Sequence, residues 1–143
     1  MNSLSFTKKT EDYKNQIITI ESVCSDNKIV SVKVLWDTGS GNTSISEKLC
    51  TEMGFERVDD TYVTTNNGKK LMKRYQIGVV LEDLDKTCFK VWATSSTVLD
   101  NEEFDIIIGM DIIGRGDFAI SKNNQDYDTY ISFRYDHGGI VKL

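Results

Sequence analysis

The stretch that decides the fold is LWDTGSGNT, at positions 35–43. An apolar, β-branched run leads into it and predicts a strand, which delivers Asp37 into a tight turn of small residues. A rigid strand behind a carboxylate and exposed backbone N–H groups around it form a setting in which a carboxylate can do chemistry. The Asp-Thr-Gly triplet occurs once in the chain, so a pair of such carboxylates would need two chains.

The composition is typical of one globular domain. The chain has 143 residues, of which 39% are hydrophobic and 27% are charged, and this length is sufficient to bury a core. The formal net charge of −5 argues against a nucleic-acid partner. The N-terminus lacks the apolar core of a signal peptide, and no apolar run is long enough to span a membrane. We therefore expect a cytoplasmic protein without membrane contact.

The residues that serve other kinds of catalysis are sparse. The cysteines are Cys24, Cys50 and Cys88, an odd number without the spacing of a metal site, and we expect free thiols in a reducing compartment. His137 is the only histidine and lies in a glycine-rich tail, where it has no orienting partner. The sequence therefore predicts neither a metal site nor a serine or cysteine hydrolase.

Apolar periodicity and turn signals predict a chain made mainly of strands. The predicted strands lie at 15–23, 28–36, 57–64, 70–81, 87–93, 104–109, 117–121 and 130–134. One short helix is predicted between Ser46 as its N-cap and Gly54 as its C-terminal stop, and residues 110–114 are expected to form a helical turn. This pattern favours a mainly β fold, a small, partly closed barrel or a sandwich with one short helix.

Two glycine-containing segments carry further information. Asn66-Asn67-Gly68 is the strongest hairpin signal, because Asn-Gly tolerates the positive φ angles of a two-residue turn. The run FDIIIG at 104–109 predicts a strand buried on both faces. Gly109 at its end permits another backbone segment to approach closely. The acidic residues beside glycine-containing turns are expected to be cap or turn residues: Asp105, Asp111 and Asp117.

The N-terminal segment differs from the rest of the chain. Residues 1–14 are polar and are predicted to be flexible, whereas residues 15–143 are predicted to form the folded domain. We hypothesise that the polar segment is a propeptide that blocks the site until it is removed.

The chain resembles the retropepsin-like aspartic proteases of the small bacterial, phage or retroelement type. The resemblance rests on three segments in the family's order: DTGS at 37–40, the hairpin at 66–68 and IIG at 107–109. In that family the first segment carries the catalytic aspartate, the second is the tip of a flap that closes over substrate, and the third buttresses the aspartate. The resemblance extends over residues 16–133 and implies a retropepsin-like barrel that homodimerisation completes.

The resemblance also assigns roles to individual residues. Asp37 is the catalytic carboxylate, Thr38 locks the two loops across the dimer axis, and Gly39 lets substrate backbone approach. Substrate contacts are implied for the residues that follow this triplet, for the flap tip and for the buttress: Ser40, Gly41, Asn42, Asn66, Asn67, Gly68 and Ile108.

The activity implied by the resemblance is that of an endopeptidase acting on extended peptides as a C2 homodimer, with no metal or organic cofactor. Each chain contributes one Asp37. Two carboxylates held about 3 Å apart share one proton, so one activates a water as general base while the other donates to the scissile carbonyl.

This chain departs from the retroviral pattern at several positions. Ser40 stands where those enzymes usually have alanine. We expect its hydroxyl to donate to the carboxylate and favour the charged form, giving a more acidic optimum than that of a Ser40→Ala variant. Gly41 and Asn42 replace the acidic residues that hold substrate backbone, and Met110-Asp111 replaces the Arg-Asn pair whose ion pairs brace those dimers.

Two other hypotheses stay open. A catalytically silent dimerisation or peptide-binding module would keep the fold. The intact triplet argues against it, because facing carboxylates destabilise an interface. The chain could also be excised from a polyprotein of a mobile element, although no Cys/His zinc knuckle accompanies it.

Overall fold

The computed structural model describes residues 4–11 and 15–135. The strands are β1 Leu4–Lys9, β2 Ile18–Cys24, β3 Ile29–Trp36, β4 Ser44–Ser46, β5 Glu56–Thr65, β6 Gly68–Leu81, β7 Thr87–Ser96, β8 Ile106–Ile108, β9 Asp117–Lys122 and β10 Thr129–Tyr135. The helices are α1 Glu47–Met53 and α2 Met110–Ile113, and a 3-10 turn covers Val98–Asn101. Within these ranges, no helix has the length and apolar character needed to cross a membrane.

The larger sheet closes into a barrel. Its hydrogen-bonded neighbours run in the order β2, β3, β8, β4, β7, β6, and a further pairing of β2 with β6 closes the 6-strand ring. Strand β5 lies outside the ring and, among the described strands, pairs with β6 alone. The second sheet has the order β1-β10-β9 and contributes Phe6, Ile131 and Phe133 to the same core as the barrel. The prediction of a mainly β barrel is confirmed.

Strand β3 carries the apolar face that leads to Asp37. Val32, Val34 and Trp36 are buried, as the alternation in the sequence predicts. The Trp36 ring stacks on Phe118 with centroids 5.6 Å apart, and its Nε1–H donates to the Thr19 hydroxyl at 2.8 Å. Trp36 is therefore a core residue, and it holds the end of the strand in place.

Strand β8 is covered on both faces, as predicted. Ile106 and Ile108 lie in the main core. Ile107 points the other way and packs against a second apolar cluster, formed by Ile18, Leu99 and Phe104.

The predicted bounds of the first helix are confirmed. The Ser46 hydroxyl accepts a hydrogen bond from the Leu49 N–H at 3.2 Å, and Gly54 ends the helix in a left-handed conformation with φ of 64°. Helix α2 is the helical turn predicted at 110–114. Strand β4 and the 3-10 turn are not apparent from the sequence pattern.

The first strand lies within the segment that the sequence predicts to be flexible. Strand β1 pairs antiparallel with β10 along its whole length, from Leu4 opposite Tyr135 to Lys9 opposite Tyr130. The prediction of a flexible segment is wrong for these residues, because their backbone is fixed in a sheet. The domain boundary at residue 15 stays a prediction, and His137 lies outside the described residues.

The predicted hairpin forms between β5 and β6, with a different turn geometry. Thr65 pairs with Gly68, so the two loop residues are Asn66 and Asn67. Within the turn, only Gly68 has a positive φ, at 103°, whereas the Asn-Gly prediction required one at both Asn67 and Gly68. The glycine therefore carries the unusual backbone conformation alone.

Candidate active site

The Asp37 loop is held by backbone hydrogen bonds at both ends. The Asp37 N–H donates to the Ile108 carbonyl at 2.9 Å, and the Ser40 N–H donates back to the Asp37 carbonyl at 3.2 Å. The first bond attaches the loop to β8, and the second closes the turn. The position of the Asp37 backbone is thus set by main-chain groups on two strands of the barrel.

The Asp37 carboxylate is half-buried at the barrel edge. Its Oδ1 accepts the Gly39 N–H at 2.8 Å, while Oδ2 accepts no hydrogen bond from the residues that the structure describes. A Cβ on residue 39 would lie 3.1 Å from Oδ1, so glycine leaves room for this close contact. One oxygen is fixed and the other is free to contact a water, a substrate or a second carboxylate.

Gly109 lets the buttress pack directly on the Asp37 loop. A Cβ at this position would lie 2.5 Å from the Asn42 carbonyl oxygen and 2.8 Å from that of Ser40, distances that backbone atoms do not tolerate. The neighbouring Met110 N–H donates to the Ser40 carbonyl at 2.7 Å. The close backbone approach predicted from the sequence is confirmed.

The exit of the loop is fixed by a residue from α2. Thr43 is fully buried, and its N–H and hydroxyl donate to the two carboxylate oxygens of Asp111 at 2.9 and 2.8 Å. Oδ1 of Asp111 also accepts the N–H of Ile112 at 3.0 Å. Sequence reasoning gave Asp111 a local cap or turn role and missed the distant partner, since 68 positions separate the two residues and no local signal joins them.

The hydroxyl of Ser40 does not reach the carboxylate as expected. It donates to the Asn42 carbonyl at 2.7 Å, and a serine hydroxyl has a single proton to donate. The expectation that Ser40 favours charged Asp37 is therefore corrected. Ser40 instead ties the loop to itself.

The rest of the loop presents polar groups at the surface. Thr38, Gly39, Gly41 and Asn42 are all exposed in the single chain. The Thr38 hydroxyl makes no hydrogen bond to any described residue. These exposed groups beside a half-buried carboxylate are available to a second chain or to a ligand.

The remaining predicted site residues lie in two places. Ile108 is fully buried, so its side chain packs in the core and it acts on the site through the carbonyl that holds Asp37. This differs from the substrate contact that the resemblance assigned. Asn66, Asn67 and Gly68 lie together at the exposed hairpin tip, and in the described part of the chain no hydrogen bond joins the tip to the Asp37 loop.

The other acidic residues beside glycine turns have structural partners. Asp105 Oδ1 accepts the Ser46 hydroxyl at 3.2 Å, and Asp117 lies 3.5 Å from the Arg134 guanidinium. Among residues 4–11 and 15–135, no group of three or more potential ligands gathers to hold a metal ion.

Two comparisons with known proteins both match aspartic proteases. A family model described as gag-polyprotein putative aspartyl protease matches residues 25–115. A crystal structure of a retropepsin-like aspartic protease from Rickettsia conorii matches with a TM-score of 0.60 and 16% sequence identity, covering 94% of this chain and 93% of that chain. At this identity the structural likeness shows the fold alone. No curated protein sequence matches the chain.

The fold and the Asp-Thr-Gly site thus define a retropepsin-like protein. The family model spans more than half of the chain and includes both the Asp37 loop and its buttress. The chain belongs to the gag-polyprotein putative aspartyl protease family.

Proposed function

We propose that this protein is an aspartic endopeptidase that acts as a C2 homodimer, with one Asp37 from each chain in a shared active site. One observation carries the proposal. A half-buried Asp37 is held by main-chain hydrogen bonds with one carboxylate oxygen fixed and the other free, in a chain of an aspartyl protease family.

The dimer is supported by what a single chain lacks. The triplet occurs once, and the loop leaves Thr38 exposed. A two-fold axis beside the loop would bring the two carboxylates together and give each Thr38 hydroxyl a partner from the other chain. Two-fold symmetry is the commonest arrangement of homo-oligomers, and it places identical loops opposite each other.

The chemistry follows from the repulsion between two close carboxylates. Two such groups share one proton because both cannot be ionised at short separation. The ionised Asp37 removes a proton from a bound water, whose oxygen attacks the scissile carbonyl carbon. The protonated Asp37 gives its proton to the carbonyl oxygen. The tetrahedral intermediate then breaks its C–N bond. The departing nitrogen takes the proton that one Asp37 received from the water, a hydroxyl of the intermediate gives its proton to the other Asp37, and the pair again shares one proton.

The hairpin formed by β5 and the first part of β6 is a suitable cover for an extended peptide. Tyr62 and Leu71 are cross-strand partners and remain 70% and 51% exposed, which is unusual for large apolar side chains on facing positions. We propose that this hairpin closes over substrate, with the tip residues 66–68 and the polar groups of Gly41 and Asn42 contacting its backbone.

The test is cleavage of a denatured protein mixture between pH 3 and 7. Wild-type protein is compared with Asp37→Asn, and Asp126→Asn is the matched control. Asp126 is an exposed turn residue whose Oδ1 accepts the Asp128 N–H, a role that asparagine keeps. Cleavage by wild type and by Asp126→Asn, lost in Asp37→Asn and blocked by a statine inhibitor, supports the proposal.

The size of each variant is measured by sedimentation in parallel. A dimeric wild-type protein that cleaves nothing would favour the silent peptide-binding module. Cleavage that survives in Asp37→Asn would contradict the assignment of Asp37.

A further inference from the structure

Two cysteines that are distant in sequence meet on the outside of the barrel. Cys24 lies at the end of β2 and Cys88 near the start of β7, and their Sγ atoms are 3.7 Å apart. The two strands flank β6, where Cys24 stands opposite Gly78 and Cys88 opposite Val80. Nothing in the sequence spacing of these thiols indicates that they are neighbours.

The contact depends on a glycine between the two sulfurs. A Cβ at Gly78 would lie 2.6 Å from the Cys24 Sγ and 2.9 Å from the Cys88 Sγ. Both distances are shorter than any van der Waals contact, so a side chain at this position would separate the thiols. The absence of a side chain on the middle strand therefore creates the space in which the sulfurs meet.

The thiol pair is accessible from solvent. Both cysteines line an open cavity of about 440 Å³, Cys88 is exposed and Cys24 is partly exposed. The same cavity wall includes Asp26, Glu56 and Lys90. An ion can therefore reach the pair without unfolding the barrel.

The two thiols are not joined as a disulfide in this structure. Cys24 and Cys88 lie on strands separated by β6, and their Sγ atoms are 3.7 Å apart, whereas the sulfurs of a disulfide are about 2.05 Å apart. A metal ion between the sulfurs needs no such close approach.

We propose that Cys24 and Cys88 form a two-thiolate binding site for monovalent copper. Soft thiolate ligands select Cu(I), and this ion is stable with only two of them. A zinc site takes at least three protein ligands, and in the part of the chain that is described no third candidate joins the two sulfurs. Binding replaces two S–H bonds with two Cu–S bonds, releases two protons to solvent and leaves a centre of charge −1, with Lys90 on the same cavity wall.

The test is anaerobic competition for Cu(I) with a chromophoric Cu(I) chelator. Wild type, Cys24→Ser, Cys88→Ser and Cys50→Ala are compared. Cys50 is the matched control because it is a buried core thiol that does not line the cavity. We expect wild type and Cys50→Ala to withdraw one equivalent of copper per chain, and each serine variant to lose at least tenfold in affinity. X-ray absorption should then show two sulfur neighbours around the metal.

A further variant keeps both thiols but separates them. Gly78→Ala is expected to weaken copper binding at least tenfold, and its thermal melt reports whether the barrel is intact. The proposal is overturned if wild type takes up no Cu(I), if either serine variant binds as wild type does, or if the pair binds Zn(II) in preference to Cu(I). None of these results depends on protease activity.

Discussion

The carboxylate of Asp111 accepts both the backbone N–H and the hydroxyl of Thr43, at 2.9 and 2.8 Å. This double hydrogen bond joins α2 to the exit of the Asp37 loop. Together with the Asp37 N–H bond to Ile108 at the entrance, it fixes the loop at both ends. The Asp37 carboxylate is therefore positioned by residues outside the Asp-Thr-Gly triplet.

Removal of the Asp111 carboxylate should destabilise the fold. Asp111→Ala leaves the N–H and hydroxyl of a fully buried Thr43 without an acceptor, and hydrogen bonds to charged groups contribute about 1.5–3 kcal/mol each. We expect the free energy of unfolding in urea to fall by about 2–4 kcal/mol. Thr43→Val removes only one of the two bonds and should cost less. A change within 0.5 kcal/mol for Asp111→Ala, the usual range of surface substitutions, would contradict this role.

Lys8 should be essential to the stability of the barrel. Its Nζ lies 2.7 Å from Oε2 of Glu21, which is fully buried. The Thr19 hydroxyl donates to the same oxygen at 2.5 Å and accepts from Trp36 Nε1 at 2.8 Å. A chain of polar contacts thus connects β1 to the residue before Asp37.

Lys8→Met leaves the buried Glu21 carboxylate without its cation. Breaking a fully buried pair costs about 3–5 kcal/mol, and we expect a smaller loss here because the Lys8 side chain is 20% exposed. Lys9→Met is the matched control, because Lys9 pairs with Asp128 at the surface, where ion pairs contribute little. Equal melting temperatures for the two variants would refute this account. Loss of stability on deletion of residues 1–9 would also argue against a removable propeptide.

Ser40→Ala should leave the pH dependence of cleavage unchanged. The Ser40 hydroxyl donates to the Asn42 carbonyl, so its loss removes no hydrogen bond from the Asp37 carboxylate. We expect kcat/KM plotted against pH to keep its shape, with a uniform decrease if the loop loosens. A displaced acidic limb would show that the hydroxyl turns to the carboxylate when the site is assembled.

Cys50 should be inert in the native protein. Burial, assisted by the nearby charges of Glu47 and Asp100, raises the pKa of the Cys50 thiol to about 12. The thiolate is the reactive form, and at pH 8 it amounts to about one part in ten thousand of such a thiol. Iodoacetamide at pH 8 should modify Cys50 only after denaturation, as read by mass spectrometry of peptides. Rapid labelling of Cys50 in the folded protein would contradict the burial.

The sequence predicts those features that local chemistry determines. The Ser46 and Gly54 caps, the alternation along β3 and the buried run ending at Gly109 each follow from neighbouring residues, and all are found. The site loop could be located for the same reason, because Asp-Thr-Gly is contiguous.

The features that were missed depend on distant partners. Strand β1 lies in a polar segment, and Phe6 is its one buried residue. Its backbone is ordered because it pairs with β10, which is distant in sequence. Asp111 meets Thr43 because β8 pairs with β4, and Cys24 meets Cys88 because β2 and β7 both pair with β6. The role expected for Ser40 failed because an adjacent carbonyl competes for its one proton.

The most direct test of the central claim is the activity of mixed dimers. Wild-type chains are mixed with Asp37→Asn chains at a constant total concentration, after both are shown by sedimentation to dimerise, and cleavage of a peptide substrate is measured after subunit exchange. If each site needs one Asp37 from each chain, activity follows the square of the wild-type fraction, so an equal mixture keeps about one quarter of the full activity. Activity that falls in direct proportion to the wild-type fraction would mean that each chain acts alone, and it would contradict the shared site.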